Sequence, residues 1–271
     1  MIKNTLTIAG VDPSGGAGTL ADVKTMSALG TFACAVIAAL TAQNTQNVTG
    51  IQPIPPDFIR LQIDTLFHDV RIDGVKIGML GQTPVIHTVA DSLEKYQPPF
   101  VVLDPVMVAK SGDLLLEEKA VASLIEVLIP QAHMITPNLP EAGVILKSST
   151  PESIKEMYHF AEKLHKRMAS SDERWVLLKG GHLPSQDTVD LLFNGDKMIE
   201  IQHSKIQTKN THGTGCSLSS AICALQARLQ NIPLATQQAV DFIYQSIQHA
   251  DELSVGHGHG PIHHFHALWS Q

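Results

Sequence analysis

Thr5-Leu6-Thr7-Ile8-Ala9-Gly10-Val11-Asp12-Pro13-Ser14-Gly15-Gly16-Ala17-Gly18 decides the fold. Thr5 to Ala9 reads as a buried strand, and Gly10 to Gly18 as a loop rich in turn formers. Thr19 to Leu29 then reads as a helix that Gly30 stops. Phe32 to Leu40 is a second apolar run of strand character, followed by the polar run Thr41 to Gln46. Strand, loop, helix and strand in succession make a β-α-β unit, the building block of a parallel sheet.

The same alternation continues. Pro55-Pro56-Asp57 opens a helix whose Phe58, Ile59, Ile63, Leu66 and Phe67 recur at helical spacing. Strands are predicted at Asp73 to Ile77, Phe100 to Leu103, His133 to Ile135 and Trp175 to Leu178. Thr83-Pro84 starts a helix to about Tyr96. Further helices are predicted over Glu117 to Ile129, Pro140 to Leu146, and from Thr150-Pro151-Glu152 to about Met168. Val189 to Phe193 and Met198 to Ile201 flank Asn194-Gly195, a strong hairpin signal. Two helices close the chain, roughly Thr214 to Leu229 and Leu234 to Leu253. Lys110-Ser111-Gly112 reads as a mobile loop. The expectation is one α/β domain over residues 1–271, its mostly parallel sheet covered on both faces, because no linker divides the pattern.

Composition agrees with a compact chain: 44% of the 271 residues are hydrophobic and 17% charged. A net charge of −7 and a pI near 6.0 argue against a nucleic-acid partner. Phe32 to Leu40 is too short to span a bilayer, and no signal peptide is evident. Cys34, Cys216 and Cys223 form no disulfide framework, which suits a reducing cytoplasm.

The chemistry concentrates in Asn210-Thr211-His212-Gly213-Thr214-Gly215-Cys216-Ser217-Leu218. Two glycines before a helix let several N–H groups converge, and the helix adds its free N–H groups and dipole. That combination suits a phosphate. Cys216 on the first turn is a candidate thiolate, since the same field lowers a thiol's pKa. The alternative is a glycine-rich helix start with a buried cysteine. Other polar segments also follow strands: Gly10 to Gly18, Thr41 to Thr45, Gly78-Met79, Asp104 to Val106, Asn138 to Glu141 and Lys179 to His182. A parallel sheet brings them to one edge, where such sheets bind ligands.

The first loop lacks the spacing of a P-loop and the third glycine of a dinucleotide fingerprint. Asp22, early in the first helix, is either a substrate contact or a first-turn acid. Asn138 and Glu141 at a helix start can hold a magnesium ion through waters, or can simply cap the helix. Asp104 is a second candidate for the metal's surroundings, and Lys179 can balance phosphate charge. The histidine-rich tail Val255 to His266 has no closed zinc spacing.

Taken together, these segments resemble the hydroxymethylpyrimidine/phosphomethylpyrimidine kinases. The matching stretches are Leu6 to Gly18 (LTIAGVDPSGGAG), Ala39 to Thr45 (ALTAQNT), Lys76 to Leu80 (KIGML) and Ala109 to Asp113 (AKSGD). Thr136 to Ala142 (TPNLPEA), Leu178 to His182 (LKGGH), Thr208 to Cys216 (TKNTHGTGC) and Gly260 to Trp269 (GPIHHFHALW) complete the series. The resemblance runs in order through nearly the whole chain. It implies a ribokinase-like, three-layer α/β/α sandwich. It also implies a magnesium-dependent, cytoplasmic, dimeric enzyme that uses ATP to phosphorylate 4-amino-5-hydroxymethyl-2-methylpyrimidine and then its monophosphate, for thiamine synthesis. By the same resemblance Cys216 is the base, and Gly213, Thr214 and Gly215 form the anion hole. Gln43 recognises the pyrimidine, Met79 and Val106 wall its pocket, and Gly10 and Asp22 neighbour it. Asn138 and Glu141 belong to the metal–phosphate motif, and Lys179 and Thr208 to the nucleotide side. A pyridoxal kinase of the cysteine-bearing type is the nearest rival. A catalytically dead ligand sensor is another.

Overall fold

A computed structural model of the chain describes residues 1–107, 116, 118–168, 173–185 and 187–269. The expected loop at 110–112 and the matching stretch 109–113 lie outside the described residues.

In chain order the elements are β1 (Asn4–Val11), α1 (Gly18–Ala28), β2 (Phe32–Gln43), β3 (Val48–Pro53), α2 (Pro56–Asp69), β4 (Gly74–Ile77), α3 (Thr83–Tyr96) and β5 (Val101–Leu103). Next come α4 (Glu118–Ser123), β6 (Met134–Ile135), α5 (Leu139–Leu146), α6 (Ile154–His165) and β7 (Trp175–Leu178). The last are β8 (Asp187–Phe193), β9 (Met198–Ser204), α7 (Thr214–Leu229) and α8 (Ile232–Gln248). One nine-stranded sheet runs in the order β3-β2-β1-β4-β5-β6-β7-β8-β9. From β2 to β7 all neighbours are parallel, while β3, β8 and β9 join antiparallel at the two edges.

Two apolar layers explain the sandwich. Side chains alternate across a strand. Leu6 and Ile8 of β1, with Val75 and Ile77 of β4, join the core shared with α2, α3, α5 and α6. Val102, Met134 and Leu177 join the second core, with Met26 of α1 and the inner residues of α7 and α8. Helices therefore cover both faces, as the alternating pattern predicts.

Three expectations are corrected. The polar run Thr41 to Gln46 is not simply a loop: β2 continues to Gln43 and pairs with β3, a strand the pattern did not predict. Of the helix expected over Glu117 to Ile129, residue 117 lies outside the described residues; the rest is regular over Glu118–Ser123, then widens over Leu124–Leu128 and tightens over Ile129–Gln131. Pro130 in that last turn removes one N–H from the helical ladder. The last helix stops at Gln248, and Ala250–Glu252 forms a separate short turn.

Candidate active site

The chain goes from β1 to β2 on one side and later returns to β4 on the other, so the strand order reverses between β1 and β4. A crevice opens at such a point at the strands' carboxyl ends. The Gly10 N–H donates to the Met79 carbonyl across it at 3.1 Å. A Cβ on Gly10 would lie 2.4 Å from the Met79 methyl carbon, so only glycine lets the methionine pack there. Val106, half-buried, follows β5 on the same edge, its N–H held by the Asp104 carbonyl at 2.8 Å.

The two glycine-rich loops interlock. Gly213 caps α7 with φ at +78°, and a Cβ there would lie 1.7 Å from the Gly16 carbonyl oxygen. The left-handed backbone favours glycine, and the close approach excludes any side chain. His212 reaches the first loop as well, with Nε2 2.7 Å from Asp12 Oδ2. Asp12 also accepts the N–H groups of Ser14 and Ala17. Thr214, Gly215 and Cys216 then form the first turn of α7. The Thr214 N–H is drawn to the Thr211 carbonyl at 3.4 Å, while the N–H groups of Gly215 and Cys216 lack the carbonyl partner that a preceding turn would supply.

Charged side chains surround that turn. A Cβ on Gly215 would lie 3.4 Å from Lys179 Nζ and 3.7 Å from Asp104 Oδ2. Lys179 Nζ donates to Asp104 Oδ1 at 3.2 Å, and the Thr136 hydroxyl donates to the same oxygen at 3.1 Å. Asn138 and Glu141 form the reciprocal cap of α5: Asn138 Oδ1 accepts the Glu141 N–H at 2.9 Å, and Glu141 Oε2 accepts the Asn138 N–H at 2.8 Å. Burial pushes the Glu141 carboxyl up to about 7, and the Asp104 carboxylate pushes the same way against the pull of Lys179. Two carboxylates that repel in a buried site, both hard oxygen donors, are a fitting environment for magnesium.

The thiol of Cys216 departs from expectation. It is pushed up to about 11, not lowered. Burial is the main cause, and the nearby Asp22 and Asp104 carboxylates add to it. The Lys76 ammonium and the Gly18 N–H pull the other way without prevailing. Loss of water around the thiolate disfavours the charged form.

Asp22 is also corrected. It is wholly buried, and its carboxylate is taken up inside the protein. Lys76 Nζ lies 2.9 and 2.7 Å from its two oxygens. The Thr7 hydroxyl donates to Oδ2 at 2.6 Å and the Ser220 hydroxyl to Oδ1 at 2.8 Å. No oxygen faces the crevice; the residue anchors Lys76 beneath it. Thr208 holds the Asp251 carboxylate at 3.2 Å and receives the Asn210 N–H at 3.1 Å, so it braces the approach to the cradle.

Gln43 ends β2, half-buried. The Thr41 hydroxyl lies 2.8 Å from the Val11 carbonyl and 3.1 Å from Gln43 Oε1. The glutamine is thereby set beside the first loop, with its amide nitrogen not engaged by that hydroxyl. The structure thus brings Gly10, Met79, Asp104, Lys179, Glu141 and the 213–216 turn to one edge. Sequence reasoning missed Lys76, Thr136 and the Asp12–His212 pair. Lys76 carried a signal: a charge in the middle of a buried strand.

Fold and site together define a phosphoryl-transfer enzyme of the ribokinase-like class. A family model described as phosphomethylpyrimidine kinase matches residues 12–263. The hydroxymethylpyrimidine/phosphomethylpyrimidine kinase of Escherichia coli (strain K12) is 49% identical over 266 residues, covering 98% of either chain. The structure of phosphomethylpyrimidine kinase from Clostridium difficile 630 superposes with a TM-score of 0.79 at 38% identity, covering 90% of this chain and 99% of that one. An ADP complex of Bacillus subtilis pyridoxal kinase superposes with a TM-score of 0.90 at 31% identity, covering 100% of both. The chain belongs to the phosphomethylpyrimidine kinase family. No described helix is long and apolar enough to cross a membrane.

Proposed function

We propose that this chain moves the γ-phosphoryl group of ATP onto the hydroxymethyl group of 4-amino-5-hydroxymethyl-2-methylpyrimidine, then adds a second phosphoryl group to the product, within thiamine biosynthesis. The observation that carries the mechanism is the packing of Gly215 against Lys179 and Asp104. It brings an anion-binding helix start, a cation and a carboxylate to one point.

In this reading the backbone N–H groups of Gly213, Thr214 and Gly215 hold the phosphoryl oxygens as charge spreads over them. Lys179 balances phosphate charge, and Thr208 and Asn138 shape the nucleotide side. Glu141 and Asp104 hold magnesium, which when bound would neutralise the phosphates. Cys216 takes the proton of the acceptor hydroxyl. Gly10, Met79 and Val106 confine the ring. Asp22 acts from below, through Lys76. The same reading makes the enzyme cytoplasmic, where its three free cysteines stay reduced. It also makes it a homodimer, with Leu40 and Ile51 on the outer strands and Phe58 and Leu61 on α2 leaving apolar surface for a second copy.

Gln43 distinguishes a pyrimidine acceptor from pyridoxal. Its amide offers a donor and an acceptor side by side. An aminopyrimidine presents the complement: a ring nitrogen that accepts next to an amine that donates. Pyridoxal lacks that pair. We expect Gln43→Leu to weaken use of the pyrimidine about 5- to 150-fold, the equivalent of about 1–3 kcal/mol for a buried group left unpaired. Any use of pyridoxal should change far less. Steady-state kinetics on both substrates check this. Equal losses on the two would put the pyridoxal reading first.

A further inference from the structure

We infer that the glycine-rich segment 255–261 is a positioning strap, tying the hairpin arm that carries Gln43 to the anion cradle and so fixing the acceptor ring relative to the phosphoryl group. The inference rests on the reading of Gln43 given above.

The arm needs such a tie. Pairing of β2 with β1 ends at Val11 with Leu40. Beyond it, Thr41 to Gln43 pair only with β3, and a two-stranded ribbon is marginal by itself. The tip is a polar turn in which Asn44, Gln46 and Asn47 are exposed but Thr45 is buried. What buries it is the strap. The His259 N–H donates to the Thr45 carbonyl at 2.8 Å, and the Gly258 N–H to the Thr45 hydroxyl at 3.1 Å. A Cβ on Gly256 would lie 2.2 Å from that hydroxyl oxygen, and one on Gly258 2.1 Å from the Thr45 carbonyl oxygen.

The other end of the strap is fixed to the cradle. A Cβ on Gly260 would lie 2.2 Å from Asn210 Oδ1, and the Gly260 carbonyl accepts the His212 N–H at 3.0 Å. His212 directly precedes Gly213 and holds Asp12 of the first loop. Past the strap, His264 is buried with Nε2 3.0 Å from the hydroxyl of Ser217, the residue after Cys216. Gly258 of the Thr45 clamp and Gly260 of the cradle clamp are only two Cα–Cα steps apart, a reach of no more than about 7 Å. A spacer that short does not let the arm drift. The alternating glycines of the tail are therefore three close approaches, with His257 exposed and His259 exposed but with its Nδ1 3.3 Å from the Lys209 carbonyl. Misplacing a reacting group by about 1 Å costs on the order of 100-fold, so the strap has leverage on the rate without touching the substrate.

The test is Gly258→Ala, with Gly50→Ala as the control inside the same arm, where a Cβ would meet only the Ala42 methyl at an ordinary 3.7 Å. Both are measured for kcat and KM on hydroxymethylpyrimidine and for ADP affinity, in the wild-type and Gln43→Leu backgrounds. Gly258→Ala should lower kcat/KM for the pyrimidine about 10- to 100-fold with ADP affinity within about twofold. The loss should largely vanish in the Gln43→Leu background, since residues acting through one another are not additive. Gly50→Ala should behave like its parent. An undiminished loss in the Gln43→Leu background, an equal loss in ADP affinity, or no loss at all would overturn the strap. If Gly258→Ala does not fold, Thr45→Val removes only the hydroxyl acceptor. It should then give a loss of about 2- to 12-fold, the size of one hydrogen bond, judged by the same comparison. No loss from Gln43→Leu itself would overturn the recognition reading on which the strap rests, whereas a normal loss from Gln43→Leu with an undiminished loss from Gly258→Ala would overturn the strap alone.

Discussion

Cys216→Ala is expected to slow phosphorylation of the hydroxymethyl group by about 10²–10⁴-fold, the range for losing a positioned proton acceptor, and to slow phosphorylation of the monophosphate far less. The two acceptors differ in what they must lose. An alcohol keeps its proton until the new bond forms, so a base is needed. A phosphate monoester has its second pKa near 6 and at neutral pH is mostly a dianion with no proton to remove. Donor, cradle and cations are the same in both steps. The ratio of the two rates therefore isolates the base from every other contribution. Single-turnover assays with each acceptor, followed by product separation, measure it. Equal losses in both steps would show that the cysteine acts by shape or position. No loss in the first step would remove it from the mechanism.

The resting state of the thiol adds a pH signature. Burial holds it at about 11, above the assay range, and only the ionised form accepts a proton. For wild type, kcat/KM of the first step should rise about tenfold per pH unit between about pH 7 and 9, because that parameter reports free-enzyme ionisations. The second step should lack this rise, and so should Cys216→Ala. A first step that is flat with pH in wild type would mean that the cysteine does not carry the proton.

How much of this was legible in the sequence depends on how local each signal is. The parallel centre of the sheet was, because Thr5 to Ala9, Phe100 to Leu103 and Trp175 to Leu178 are largely apolar runs bounded by turn residues and separated by helical patterns. β3 was not. Val48-Thr49-Gly50-Ile51-Gln52-Pro53 is mostly exposed and contains glycine and proline, which weaken any strand reading. Only its partner, the extension of β2, makes it a strand.

The site divides the same way. Gly213 and Gly215 announce a helix start suited to an anion, and the strand ends carrying Asp104 and Lys179 announce a shared edge. Asp22 is hard to place from sequence because an acid near a helix start looks the same whether it faces solvent or the sheet; in the structure it is the fifth residue of α1, past the first turn. Its partners Thr7, Lys76 and Ser220 come from three other elements, so only the packing of α1 and α7 on β1 and β4 reveals them. The thiol pKa misled for a related reason. The helix start is a local feature readable from Gly-Thr-Gly-Cys, whereas burial, the main cause of the raised thiol pKa, is a property of the assembled sandwich.

The same buried network carries the largest expected change in stability. Lys76 pairs in register with Thr7 on the face of the sheet that α1 and α7 cover, and neither Lys76 nor Asp22 has any exposed surface. Lys76→Met would fill the space with an apolar chain of similar length but leave the Asp22 carboxylate without its cation. Breaking a buried pair in this way costs about 3–5 kcal/mol. For a chain of this size that lowers Tm by roughly 6–20 °C, at about 2–4 °C per kcal/mol. The double variant Lys76→Met with Asp22→Asn removes both charges and leaves one of the Thr7 and Ser220 hydroxyls an amide oxygen to donate to and the other an amide N–H to accept. It should recover at least half of the lost Tm, since removing a whole buried pair is far cheaper than removing one partner. The Asp22 carboxylate also raises the pKa of Lys76 above its ordinary value. The folded state therefore holds that proton more tightly than the unfolded chain, and the lysine's contribution is fully present below about pH 10.4 and weakens only above it. The loss on Lys76→Met should accordingly be the same at pH 7 and pH 9. Thermal melts of wild type and both variants at those two pH values decide the matter. A single variant that melts within about 2 °C of wild type, or a double variant less stable than the single, would show that the pair does not hold the sheet to its helices.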